Sequence, residues 1–118
     1  MVTDDDFADY LAAVIGLDVK TNLIEQVDDV VMIRLYGGQA DQELLALRNP
    51  NLQIFIRDRD YANAKQLMLT IDGALRGTRA QIGGIACTIL PKTGPDPLGM
   101  DKKQRHVFSI NYELIYQT

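Results

Sequence analysis

Apolar residues recur at two different spacings along this 118-residue chain, and the changes from one spacing to the other mark out its elements. Near the start, Phe7, Tyr10, Leu11, Val14 and Ile15 repeat every three or four residues, which predicts one apolar stripe on a helix. Thr3 and Asp6 have capping-box spacing, with Asp replacing the usual Glu. Asp4, Asp5 and Asp6 fill the first turn, where the helix dipole favours negative charge, and Gly16 suits the left-handed position that ends a helix. Residues 27–36 alternate instead, with Val31, Ile33 and Leu35 against Met32, Arg34 and Tyr36, so a strand is expected. Gly37 and Gly38 break it, and the following connection has room for one helical turn begun by Asp41. Pro50 then restricts Asn49 to extended geometry ahead of a second strand, Leu52, Ile54 and Ile56 with Gln53, Phe55 and Arg57 on its other face.

That strand ends in Arg57-Asp58-Arg59-Asp60, after which the apolar period lengthens. Tyr61, Ala64, Leu67, Met68, Ile71 and Leu75 share one helical face that closes at Gly77. Asp60 occupies the N-cap position, and Asp58 also gains from the positive end of the helix dipole. The four charges therefore read as a strand-to-helix transition rather than a catalytic site, since no nucleophile or histidine is near them in sequence.

Beyond Gly77, Gly83 and Gly84 separate two short apolar segments and signal a two-residue hairpin that pairs Ile82 with Ile85. Residues 91–105 contain Pro91, Pro95, Pro97 and two glycines, and read as a long loop. The last segment alternates cleanly: Phe108, Ile110, Tyr112, Leu114 and Tyr116 oppose Ser109, Asn111 and Glu113, the pattern of a half-buried strand. The predicted class is α+β, a mostly antiparallel or mixed sheet of four to five strands carrying two main helices. The predicted order is α-β-β-α-β-β-β, in one domain spanning residues 1–118.

Composition narrows the function classes. With 47% apolar and 24% charged residues the chain should fold around a core. It has no apolar run of the roughly 18 residues needed to span a bilayer, and its acidic start lacks the basic region of a secretory signal, so an intracellular product and no membrane partner are expected. Cys87 is the only cysteine, which suits a reducing compartment. Net charge is −4, against a free-standing nucleic-acid binder. Residues 1–29 hold eight acids against Lys20, a balance of −7, leaving +3 for the remainder; this reads first as a solvated acidic face on the N-terminal helix, and second as a dipolar chain suited to associate with its own copies.

Catalytic and cofactor chemistry find little support. There is no phosphate-cradling Gly-x-x-x-x-Gly-Lys-Ser/Thr and no Gly-x-Gly-x-x-Gly, and one Cys with one His cannot build a zinc site within a monomer. The acids of the first helix lack the pattern of a calcium loop. Cys87 and His106 are the only candidate nucleophile and base. If Leu90 and His106 face each other across the loop, Cys87 faces Ser109, about 10 Å from His106 at roughly 3.3 Å per residue, which is beyond hydrogen-bond reach. No cofactor, no metal and no enzymatic activity are expected; a small-molecule enzyme of α+β class remains the remote alternative.

Several stretches in this order, Tyr36-Gly37-Gly38, Arg48-Asn49-Pro50, Asp60-Tyr61-Ala62, Ile82-Gly83-Gly84, residues 98–101 and Phe108-Ser109-Ile110-Asn111-Tyr112, carry a family resemblance. From Phe7 to Tyr116 the chain resembles the minor capsid or tail-terminator proteins of tailed bacteriophages. The resemblance implies a ring, typically hexameric, that caps the tail tube, stops its elongation and offers the head its docking surface. Its partners would be further copies of itself, the tail tube protein and the head-tail connector protein, with DNA only passing through the channel. It would reside at the virion tail or head-tail junction, and in the host cytoplasm during assembly. A neck or head-completion protein is the alternative from the same setting. Candidate interface residues are Asp4, Asp5, Asp6 and Asp9 on one side and Arg57, Arg59 and Arg79 on the other. Candidate docking loops carry Gly37, Gly38, Gln39 and Arg48, and Lys92, Asp101, Lys102, Lys103 and Arg105.

Overall fold

A computed structural model describes residues 2–21, 28–37 and 47–117. The expected strand start at Val27, the helical turn from Asp41, and Gly38 and Gln39 lie outside the described residues. Helix α1 (Asp4–Ile15) begins as its sequence dictates: Asp6 N–H donates to Thr3 Oγ1 at 3.1 Å and Thr3 N–H returns to Asp6 Oδ2 at 3.0 Å. It stops at Gly16, whose φ of 71° turns its N–H back to the Ala12 carbonyl. Phe7, Ala8 and Leu11 are buried and Tyr10 and Ile15 partly so, whereas Val14, expected in the stripe, is exposed.

Five longer strands and two helices follow the expected order. They are β2 (Val30–Tyr36), β4 (Asn51–Asp58), α2 (Tyr61–Leu75), β5 (Arg79–Ile82), β6 (Ile85–Met100) and β7 (His106–Gln117), after α1. The strand count is corrected upward by two pairs of residues too short to show a period, β1 (Val19–Lys20) and β3 (Leu47–Arg48). The sheet runs β1-β2-β4-β7-β6-β5 and is mixed, because β1 lies parallel to β2 and every other pairing is antiparallel. β3 pairs β7 in the register that β4 continues, Leu47 opposite Gln117 and Asp58 opposite His106. The two are one line interrupted at Asn49 and Pro50, where proline has no N–H to give; its carbonyl still accepts from Leu114.

Both helices pack on one face of this sheet. Leu52, Ile54 and Ile56 stand opposite Tyr112, Ile110 and Phe108, and Val31 and Ile33 extend the same layer across β2. All are buried, together with Ala64, Met68, Ile71 and Leu75 from α2 and Cys87 and Ile89 from β6. α2 starts where Asp60 accepts from Ala62 and Asn63, and Asp58 accepts from Asp60 N–H at 2.8 Å, so these two aspartates shape the transition as read from the sequence. Tyr61, expected in the stripe, is half exposed and sets its ring against His106 and Phe108.

Residues 91–100 overturn the expected long loop: they continue β6 to Met100, and the turn is confined to 101–105. Register shifts after Pro91, Thr93 and Pro97 absorb the irregular stretch. Gly94 has a φ of 90°, and a side chain there would press within 2.9 Å of the Ser109 carbonyl. The prolines are tolerated because β5 covers β6 only as far as Thr88, and Thr78 accepts from Ile89; among the described residues the outer edge beyond has no strand that needs its donors. The register assumed for Cys87 is corrected with it. Cys87 faces Tyr116 and His106 faces Met100, so thiol and imidazole stand at opposite ends of β7, about 33 Å apart at 3.3 Å per residue.

A part-buried hydrogen bond ties α2 to the sheet: Tyr112 Oη donates to Asp72 Oδ1 at 2.6 Å, and burial first, then that carboxylate, keeps the phenol protonated far above its ordinary range. Replacing Tyr112 with Phe keeps the packing and removes the bond. Urea unfolding should show a loss of about 1–2 kcal/mol.

Candidate functional site

The chemistry-bearing side chains gather at one end of the sheet, where β4 ends and the β6–β7 turn lies. Arg105 is 1% exposed. Its Nε and terminal nitrogen both reach Asp101 Oδ2 at 2.8 Å, and a second terminal nitrogen lies 3.8 Å from Asp28. Asp101 also accepts from the N–H groups of Lys103 and Arg105, each at 3.0 Å. These bonds, with the Arg105 side chain foremost, hold the Asp101 carboxyl down at about 2. Asp28 pairs in addition with Arg59 at 2.9 Å, so it bridges the start of β2, the end of β4 and the turn. The Asp58 carboxyl is pushed up, by burial first and by the neighbouring Asp29 charge against the hydrogen bond from Asp60. These contacts fasten the turn; among the described residues no group of three or more His, Cys, Asp or Glu is poised to hold a metal ion.

Beside this cluster an open cleft of about 580 Å³ lies between the end of α1 and the first half of α2. Ile15, Leu17 and Leu67 give it an apolar lining, and Asp18, Asp29 and Asp58 contribute acids against the single base Arg57. Cys87 takes no part in any such site. Its thiol is buried, raised in pKa by that burial, and donates to the Ile85 carbonyl. Nucleophile, base and oxyanion donors do not converge anywhere among the described residues.

Residues 11–118 match the family described as bacteriophage tail terminator protein. The chain belongs to the bacteriophage tail terminator family. It is thus a phage tail structural protein by family, and that family is not one of enzymes. Among solved structures it is similar to a chain described as "Virion of native gene transfer agent (GTA) particle", with a TM-score of 0.69 over 96% of this chain and 94% of that one. Their sequences are 15% identical, so this likeness speaks for the fold. No curated protein sequence matches the chain.

On the tail-terminator fold the candidate residues fall into two kinds. Asp5 and Asp9 are exposed on α1. Asp6 is held in the capping box, its carboxylate against the Gly83 turn, and Asp4 accepts from Leu35 N–H at 2.9 Å, closing the free edge of β2. Arg57 is 6% exposed and offers little to a neighbour, Arg59 is exposed but paired with Asp28, and Arg79 is exposed on β5 at the far edge. Arg48 is half-buried opposite Tyr116, and Gly37 is exposed at the end of β2. Lys92 reaches across β7 to Asn51 at 2.6 Å. Lys102 and Lys103 are exposed at the turn, whereas Arg105, expected beside them, is the buried clasp. The i, i+4 spacing of Asp101 and Arg105 was a signal for that clasp; the cleft, built from four separate stretches of chain, had none.

The depressed Asp101 carboxyl makes the turn acid-labile. Its stabilising effect is complete above the ordinary carboxylate value of 3.8 and is lost as pH falls through about 2. Melting temperatures followed from pH 6 to pH 2 should therefore fall more steeply for the wild type than for Asp101→Asn, whose curve starts lower.

Proposed function

We propose that this chain ends the phage tail: copies close side to side into a ring, six by the habit of the family, that sits on the last ring of tube subunits. The ring stops further addition and presents the surface on which the connector of the filled head docks. DNA passes through its channel without being held, in keeping with a net charge of −4. The family match over residues 11–118 carries the reading. The shape supports it: a rigid sheet with its helices on one face leaves different surfaces at its two sides, β1 with α1 and the open edge of β6, as a head-to-tail contact requires. The exposed end of β2 at Gly37 is a surface left for tube or connector. The whole of residues 1–118 acts as one such unit, in the virion tail and, before that, in the host cytoplasm.

Removal of the gene from its phage tests this directly. Tails should grow to irregular lengths, far beyond the wild-type length, and filled heads should accumulate without them. Tails of normal length lacking heads would instead indicate a neck or head-completion role.

A further inference from the structure

We propose that the contact between neighbouring copies is made by the β6–β7 turn of one copy seated in the α1–α2 cleft of the next. The inference rests on the ring reading and names its interface. Leu98 and Met100, 55% and 58% exposed, are the most exposed large apolar side chains among the described residues, and they stand together at the end of the unpaired edge of β6. The charge beside them is positive toward the outside: Asp101 is turned onto the buried Arg105, and Lys102 and Lys103 remain exposed at the tip. The cleft has the opposite character, an apolar lining of Ile15, Leu17 and Leu67 edged by Asp18, Asp29 and Asp58 against Arg57. An apolar knob bordered by lysines thus matches an apolar hollow bordered by aspartates.

One copy cannot satisfy itself. Met100 lies opposite His106 on the β6 side of β7, and Tyr61 at the start of α2 meets that same His106 in an edge-to-face contact. The cleft opens on the other flank of α2, toward α1, β1 and β2. Knob and hollow therefore lie on opposite flanks of the start of α2, with Tyr61 and His106 between them, and in a heterologous contact each copy gives its turn to one neighbour and receives a turn from the other. The buried apolar pair supplies attraction, and the lysine–aspartate rim selects the orientation.

The test joins Leu17→Cys and Leu98→Cys in the full chain; the native Cys87 is 2% exposed and does not compete. Mild oxidation should give a ladder of disulfide-linked multimers on a non-reducing gel, while either single variant stays unlinked. Lys102→Glu should weaken self-association about tenfold by sedimentation, and adding Asp18→Lys at the exposed lip should restore it. Wild-type oligomers with no ladder and no effect of Lys102→Glu would overturn this contact and leave the ring standing. Linkage of the Leu98→Cys position to a tube subunit alone would overturn it in favour of tube docking. A chain monomeric at every concentration and at tail ends would overturn contact and ring together.

Discussion

The structure depends on β7 being hydrogen-bonded along both edges for nearly its whole length. β3 and β4 run along one side and β6 along the other, so its register fixes theirs. Phe108, Ile110, Tyr112, Leu114 and Tyr116 all face the helices and are all buried. A slip of one residue would turn that entire row to the opposite face, so the apolar alternation permits one pairing only. α2 lies on this row and is tied to it through Tyr112 and Asp72, and α1 completes the layer over β2. The cleft and the turn, the two features with functional promise, are what this frame leaves at its margins.

Elements whose signal is local were legible in the sequence. The Thr3–Asp6 box, the Asp60 cap and the Gly83-Gly84 turn each depend on a few adjacent residues, and each formed where expected. The final strand was equally plain because one face is apolar and the other polar. β1 and β3 were not legible, since two residues have no period. Residues 91–100 misled for a different reason. Proline and glycine argue against a strand whose donors must be used, but here the donors face an open edge, and the bulges make room for them.

Tertiary charge relations were the least legible part. Arg57, Arg59 and Arg105 look alike in sequence, yet one is buried beside the cleft, one is paired in the open and one is sealed into the turn. Which arginine becomes which depends on Asp28, which arrives from the start of β2, and on Asp101 at the far end of the turn. At the turn the exposed positive side chains are Lys102 and Lys103, and at the far edge Arg79 is exposed as well. The contact proposed above uses other residues than those expected from the sequence: Asp18, Asp29 and Asp58 of the cleft in place of Asp4, Asp5, Asp6 and Asp9, and the lysines of the turn in place of Arg57, Arg59 and Arg79.

On the proposed function the protein works by its outline, with its ionisable groups spent largely on internal fastening. Electron microscopy of the protein at the ends of tails, averaged without imposed symmetry, is the most direct measurement. The expected image is a closed ring of identical subunits around an axial channel, with rotational symmetry visible in the unsymmetrised average. A single copy bound off-axis, or an open arc with no channel, would contradict it.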